Sequence, residues 1–213
     1  MKVAKIISHF NLIEHPEGGY FKETYRSNGE IQSKHLGNEF DGNRNYCTSI
    51  YFLLTSDKFS AFHKINQDEI WHFYTGTTLR LHMISPNGAY AAVLIGNDFL
   101  NGEILQFTVP ARYYFAAEVL EKNSFSFTGC TVSPGFDFRD FVLPSCKELS
   151  KKFPKHKKII KNNEHIYGQK NYPWHPTASQ PATPNPGHPG NPSPSCPLHP
   201  AKTRGYEHRP WPC

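Results

Sequence analysis

Between Arg44 and Val142 the chain is cut into short runs of β-branched and aromatic residues, with turn residues recurring about every 8–12 positions. Thr48-Ser-Ile-Tyr-Phe-Leu-Leu54 is too short for a buried helix and reads as a buried strand. Phe59–Ile65, Glu69–Tyr74 and Thr78–Ser85 follow, and in the last of these Leu79, Leu81 and Met83 alternate with Arg80, His82 and Ile84. Pro86-Asn87-Gly88 supplies the positive φ of a hairpin turn, and Tyr90–Ile95 returns as the partner strand. Gln106–Val109, Tyr113–Ala117, Ser124–Val132 and Phe136–Val142 continue the series. Upstream, Tyr20–Arg26 alternates with period two. Nine or ten short strands that never alternate regularly with helices predict an all-β sandwich or barrel and exclude a doubly wound parallel sheet.

Helical signals stand only at the ends of this series. Val3, Ile6, Ile7, Phe10 and Ile13 keep helical spacing and predict an amphipathic N-terminal helix, closed by Pro16 and Gly18-Gly19. Residues 27–43 read as a loop. Ser145–Lys161 predicts a C-terminal helix with Leu149, Phe153, Ile159 and Ile160 as its apolar points and an interruption at Pro154. Twelve of the 18 prolines lie in residues 162–213, and such a segment buries too little apolar surface to offset its chain entropy. The expected organisation is therefore one domain over residues 1–161 and a disordered Pro/His-rich tail over 162–213.

Charge divides along the same boundary. Residues 1–146 carry a net charge of −3, residues 147–161 one of +6 and the remainder +2. The basic pI of about 8.9 thus comes from one lysine-rich segment and the tail, whose lysines read as a solvated face, and it argues for neither nucleic acid nor a membrane as partner. Five scattered cysteines contain no C-x-x-C pair, which points to free thiols in a reducing compartment. With no signal-peptide pattern and no membrane-length apolar run, a soluble cytoplasmic protein is expected.

Chemistry concentrates in His63-Lys-Ile-Asn-Gln-Asp-Glu-Ile-Trp-His-Phe-Tyr-Thr-Gly76. His63 is a candidate base, since imidazole titrates near neutral pH. Glu69 either orients it or carries the proton itself if burial raises its pKa. Tyr74 is the candidate acid, and Trp71 and Phe115 are candidate walls for a sugar ring. Arg44, Arg80 and Arg112 are candidates for holding an anionic group through bidentate contacts. On strand alternation, His72 faces away from Glu69 and Trp71. Glu17-Gly18-Gly19 reads as a turn that needs glycine, and Cys130 as a buried structural thiol.

Several stretches together resemble a known family: His15-Pro-Glu-Gly-Gly-Tyr20, Ile50-Tyr-Phe-Leu-Leu54, Phe62-His63, Asp68-Glu-Ile-Trp-His72, Gln106 with Val109-Pro110, and Gly129-Cys-Thr-Val-Ser-Pro-Gly-Phe-Asp-Phe138. In order and spacing they are similar to the cupin-5 group, the DUF985 family of RmlC-like cupins, over residues 6–143. The resemblance implies a double-stranded β-helix, the jelly-roll barrel, commonly as a homodimer, related in fold to dTDP-4-dehydrorhamnose 3,5-epimerases and to seed-storage cupins. Metal-binding cupins supply three imidazoles and a carboxylate to one metal. Here His63 and Glu69 occupy two of those places, but Ile65 and Phe115 stand where the other two imidazoles belong. Two ligands fall short of the three protein ligands usual in a catalytic zinc site, so no metal or other cofactor is expected. The resemblance fixes no reaction; the His63/Glu69 spacing is what leads to the expected function, a pocket for a small, polar, sugar-like metabolite in an epimerase or isomerase working by His/Glu proton transfer, or alternatively a non-catalytic binding or storage-like cupin.

Overall fold

In the computed structural model, which describes residues 2–162, the alternating runs become twelve strands. They are β1 (Ile13–Glu14), β2 (Tyr20–Arg26), β3 (Glu30–Ile31), β4 (Arg44–Asn45), β5 (Thr48–Thr55), β6 (Phe59–His63), β7 (Asp68–Gly76), β8 (Leu79–Ile84), β9 (Tyr90–Ile95), β10 (Gln106–Val109), β11 (Tyr114–Val119) and β12 (Phe125–Ser133). Six form one antiparallel sheet in the order β1-β2-β5-β12-β7-β10, four form a second in the order β6-β11-β8-β9, and β3 pairs with β4. From β5 onward the chain passes back and forth between the two large sheets, and the only hairpin kept within one of them is β8–β9. This interleaving is the jelly-roll topology that the sequence led us to expect.

Two kinds of packing hold the strands. Between the sheets lie Phe52, Leu54, Trp71, Leu79, Leu81, Met83, Val109, Phe115 and Cys130, with smaller side chains filling the gaps. Each large apolar side chain fully removed from water there contributes about 1.5–3 kcal/mol. The outer faces are covered by helices. On α1 (Lys2–Phe10), Val3, Ile6, Ile7 and Phe10 pack against Leu53, Phe125 and Phe127 on the outside of the six-stranded sheet. On the four-stranded sheet, Leu149 of α2 (Cys146–Lys152), Phe153 and Ile160 of α3 (Lys157–Asn162) cover Phe62, Ile84, Tyr114 and Ala116. Thr48–Thr55 therefore reads as a continuous apolar run because Phe52 and Leu54 face the interior while Leu53 faces α1. No helix among the described residues is long and apolar enough to cross a membrane.

Local chemistry moved several boundaries. The N-terminal helix stops at Phe10 because Asn11 adopts φ 53°, a left-handed cap, so Ile13 leaves the apolar stripe and lies exposed in β1. The predicted loop 27–43 contains β3 and a 3-10 turn at Ser33–His35. The predicted strand Phe136–Val142 is a 3-10 turn at Phe138–Asp140, started by Asp137 accepting from the Arg139 N–H at 2.9 Å. The C-terminal helix is split into α2 and α3 around a 3-10 turn at Pro154–His156, since Pro154 has no N–H to continue the helix. The start of α2 is a capping box between Ser145 and Glu148. Beyond Asn162, the tail predicted to be disordered lies outside the described residues.

Candidate functional site

His63 closes β6, and β7 opens at Asp68, five residues after it, with Glu69 as its second residue. Antiparallel register sets Phe115 of β11 opposite His63, and the two rings meet edge to face at 4.1 Å. Glu69 pairs with Val109 on one side and Val132 on the other, which turns its side chain inward beside Trp71. His63, Glu69, Trp71 and Phe115 thus share the barrel interior, at 2%, 9%, 1% and 1% exposure.

The strongest partner of His63 is Glu17. Its Oε2 lies 2.9 Å from His63 Nε2, and its Oε1 accepts from the Ser60 hydroxyl at 2.8 Å. His63 Nδ1 is 2.7 Å from the Ala61 carbonyl, which can only accept, so Nδ1 carries a proton. Facing a carboxylate, Nε2 then carries one too, and the ring is an imidazolium. The charges agree with this: His63 is held above its ordinary pKa by Glu17 against the opposing effect of burial, and Glu17 is brought down to about 2, because the His63 charge and the hydrogen bonds from His63 and Ser60 overcome burial. His15 is 3.5 Å from the same carboxylate, yet this is not an ion pair. The Glu17 N–H points at His15 Nδ1 at 3.4 Å, so that nitrogen is an acceptor, and burial keeps the ring neutral.

Glu69 is pushed the other way, up to about 7, by burial and by the charge of Glu17, with His63 opposing. The Cys130 thiol hydrogen-bonds to it, and burial beside the two carboxylates holds that thiol well above its ordinary value, so no thiolate is available. The interior thus pairs an ionised Glu17–His63 couple with a carboxyl group raised to about 7.

A tight turn makes the couple possible. The His15 N–H reaches the Gly19 carbonyl and the Gly18 N–H reaches the His15 carbonyl, while the Ala61 N–H donates to the Glu17 carbonyl at 2.8 Å and ties the turn to β6. Gly19 sits at φ 75°, and a Cβ there would lie 2.8 Å from the Leu53 carbonyl oxygen. Gly19→Ala is therefore expected to cost about 1–2 kcal/mol from its backbone conformation alone, and more from that contact. Urea unfolding of the variant checks this.

Four of the sequence-predicted residues stand elsewhere. Tyr74 has the parity of His72, lies 49% exposed on the outside of the six-stranded sheet and packs against Tyr51 and Phe127, so it does not reach His63. Arg44 is buried and held in a bidentate pair by Asp140. Arg80 points out of the four-stranded sheet and pairs with Glu118 at 3.2 Å. Arg112 is on the surface, bonded to Glu39. Conversely, sequence reasoning took Glu17 only as part of a turn, and Ser60 and Phe141, whose ring lies 5.4 Å from that of His63, were not singled out. The Gly-Gly pair after Glu17 was the available signal, since a turn that tight fixes where its preceding side chain points.

The profile of the family described as Cupin superfamily (DUF985) matches residues 4–144. The chain belongs to this family. The cupin is 36% identical over 149 residues to an uncharacterized protein of Saccharomyces cerevisiae, covering 65% of this chain and 73% of the yeast protein. Among solved structures, a protein of Shewanella oneidensis matches with TM-score 0.68 and 35% identity, covering 76% of this cupin and 96% of that chain. A hypothetical protein from Leishmania major gives 0.68 and 34%, covering 75% and 96%. These likenesses span the barrel.

The donor atoms around His63 fall short of a metal site. Ile65 and Phe115, buried at 2% and 1%, offer no donor atom at the places of two imidazoles, and both nitrogens of His63 are already bonded to Glu17 and Ala61. Among the described residues, no three His, Cys, Asp or Glu side chains converge as a metal-holding group. The described residues of this cupin do not fit the set of three imidazoles and a carboxylate that metal-binding cupins use.

Proposed function

We propose that this cupin binds a small, polar, sugar-like carbonyl compound and moves a proton at the carbon next to its carbonyl, as an isomerase or epimerase that works without a metal. One observation carries the reading: two buried carboxyl groups next to one imidazolium are pushed in opposite directions, Glu17 to about 2 and Glu69 to about 7. Such a split is how a site separates a permanently charged group from one that exchanges a proton at neutral pH. Glu69 takes and returns the proton. His63, with both nitrogens engaged, serves as a fixed positive charge that steadies the enolate-like transition state. Trp71 lies on the same strand face as Glu69, and its indole N–H, buried without an acceptor among the described residues, is a donor for a substrate oxygen. Phe115 forms a wall.

The test is solvent-deuterium incorporation, followed by proton NMR, into a panel of keto-sugars and nucleotide-linked keto-sugars. Exchange at the carbon next to the carbonyl, lost in Glu69→Gln, is the expected result. Exchange that persists undiminished in that variant would remove the proton-transfer role. The enclosure of His63, Glu69 and Trp71 favours a second reading, a ligand-holding or storage-like cupin without turnover. Saturable binding of a panel member with no exchange would select it. A homodimer in the cytoplasm is part of the same proposal, and the exposed Phe99, Leu100 and Leu105 near β10 offer an apolar patch for a second copy.

A further inference from the structure

The outer face of the four-stranded sheet carries a second group of titratable side chains that the barrel interior does not use. His82 of β8 is buried to 1% exposure. Its Nε2 lies 3.2 Å from Glu118 Oε1, and its Nδ1 lies 2.8 Å from the Tyr90 hydroxyl. An ionised Glu118 only accepts, so Nε2 carries the proton. Burial, opposed by Glu118, favours the neutral ring, and Nδ1 then accepts from the Tyr90 O–H. Arg80 Nη1 lies 3.2 Å from the same Glu118 oxygen, so that carboxylate is already compensated by a cation.

This arrangement fixes the Tyr90 ring as one wall of an open concavity of about 270 Å³, whose other walls are Lys155, His156, Lys158, Ile159 and Asn162. His156 Nε2 bonds the Gly88 carbonyl at 2.8 Å and its ring lies 5.7 Å from that of Tyr90, which ties the helical segment to the β8–β9 turn. Neither Lys155 nor Lys158 reaches a carboxylate among the described residues. The only acid of residues 147–161, Glu148, is occupied by the backbone N–H and hydroxyl of Ser145. Among the described residues, the concavity is therefore a positively charged recess with an aromatic wall and no uncompensated carboxylate in it.

We propose that this recess is a second binding site, separate from the barrel interior, for a small hydroxylated phosphate monoester. Two ammonium groups match the charge of about −1.5 to −2 on a phosphate monoester at pH 7 better than the single charge of a carboxylate, and lysine serves phosphate as a point charge. The volume lies just under the roughly 300–1,000 Å³ of pockets for drug-sized ligands, which limits the organic part to a few carbons. Because the Tyr90 proton is directed to His82, the hydroxyl presents its oxygen as an acceptor, and that selects a ligand hydroxyl donor. The Tyr90 ring and Ile159 cover the carbon chain.

Calorimetric titration of the full chain at low salt tests this, with inorganic phosphate, glycerol 3-phosphate, glycerol and phosphatidic-acid vesicles as probes. Saturable binding of glycerol 3-phosphate, tighter than inorganic phosphate and absent for glycerol, is expected. Lys155→Ala with Lys158→Ala should weaken both phosphates about tenfold or more. Tyr90→Phe should weaken only glycerol 3-phosphate, by about threefold to tenfold. Absence of saturable phosphate binding, unchanged affinity in the double lysine variant, or binding to the vesicles without binding of the soluble ester would each overturn the proposal.

Discussion

Arg44→Ala is expected to destabilise the folded chain by about 3–5 kcal/mol, the usual cost of leaving one partner of a buried ion pair alone. Arg44 Nε and Nη2 bond the two oxygens of Asp140 at 2.7 and 2.6 Å, and both side chains are 1% exposed. The remaining nitrogen, Nη1, donates to the carbonyls of Asp41, Gly42 and Asn43, which fastens the 27–43 excursion to the barrel mouth. Truncation would leave Asp140 with Gln67 Nε2 at 2.7 Å and a long contact from Asn66, neither of which carries charge. The effect should reach the interior, because Phe141 follows Asp140 and its ring packs on His63. Urea unfolding measures the loss. Arg44→Met combined with Asp140→Leu should recover much of it, since an apolar pair of similar volume leaves no charge unpaired. A loss below about 1 kcal/mol in Arg44→Ala would show that water reaches the pair and that it does not hold the excursion.

That ion pair also marks where sequence reading stops. Asp140 is 96 residues from Arg44, and no local pattern connects them, so the sequence alone offers Arg44 as a free cation for an anionic ligand. Glu17 and His63 are likewise brought together only when the β1–β2 turn folds over β6. Period-two alternation, by contrast, is a local property. It correctly predicts the all-β architecture, sets Glu69 and Trp71 on one face, and sets His72 on the other. The same parity places Tyr74 outside, so its assignment as the acid was correctable from the sequence. The strand predicted at Phe136–Val142 failed for a different reason: Asp137 caps the chain into a 3-10 turn, and side-chain capping competes with extended structure wherever Asp has a free N–H two residues on.

The second large effect is expected at Glu69. Glu69→Gln keeps the shape and an acceptor for the Cys130 thiol but cannot exchange a proton, so any exchange activity should fall about 10²–10⁴-fold. Stability should move the other way. A carboxyl group with a folded pKa of about 7, against 4.5 in the unfolded chain, makes the folded state lose stability as pH rises from 4.5 to 7, after which the loss is constant. At 1.36 kcal/mol per pKa unit the full loss is about 3 kcal/mol. Glu69→Gln lacks this limb and should be more stable than the parent at pH 8 by up to about that amount, and closest to it near pH 4.5. Glu17 has the opposite sign: its contribution is present above pH 4.5 and is lost as pH falls toward 2. His63, raised, contributes fully below its unfolded value of 6.5, and that contribution is lost as pH rises through its folded value. Unfolding curves at pH 5 and pH 8 for both proteins separate these limbs. Equal stability differences at the two pH values would mean that Glu69 is ionised across the range.

The most direct measurement is an NMR titration of the folded chain labelled with carboxyl-¹³C glutamate and ¹⁵N histidine, with Glu69→Gln and Glu17→Gln used for assignment. The Glu17–His63 couple beside a near-neutral Glu69 predicts one glutamate signal titrating near pH 7. It also predicts His63 nitrogens that both stay protonated through neutrality, and a Glu17 signal still ionised at pH 4. A Glu69 signal that titrates near the ordinary 4.5, with His63 losing its proton near 6.5, would contradict the account at its centre.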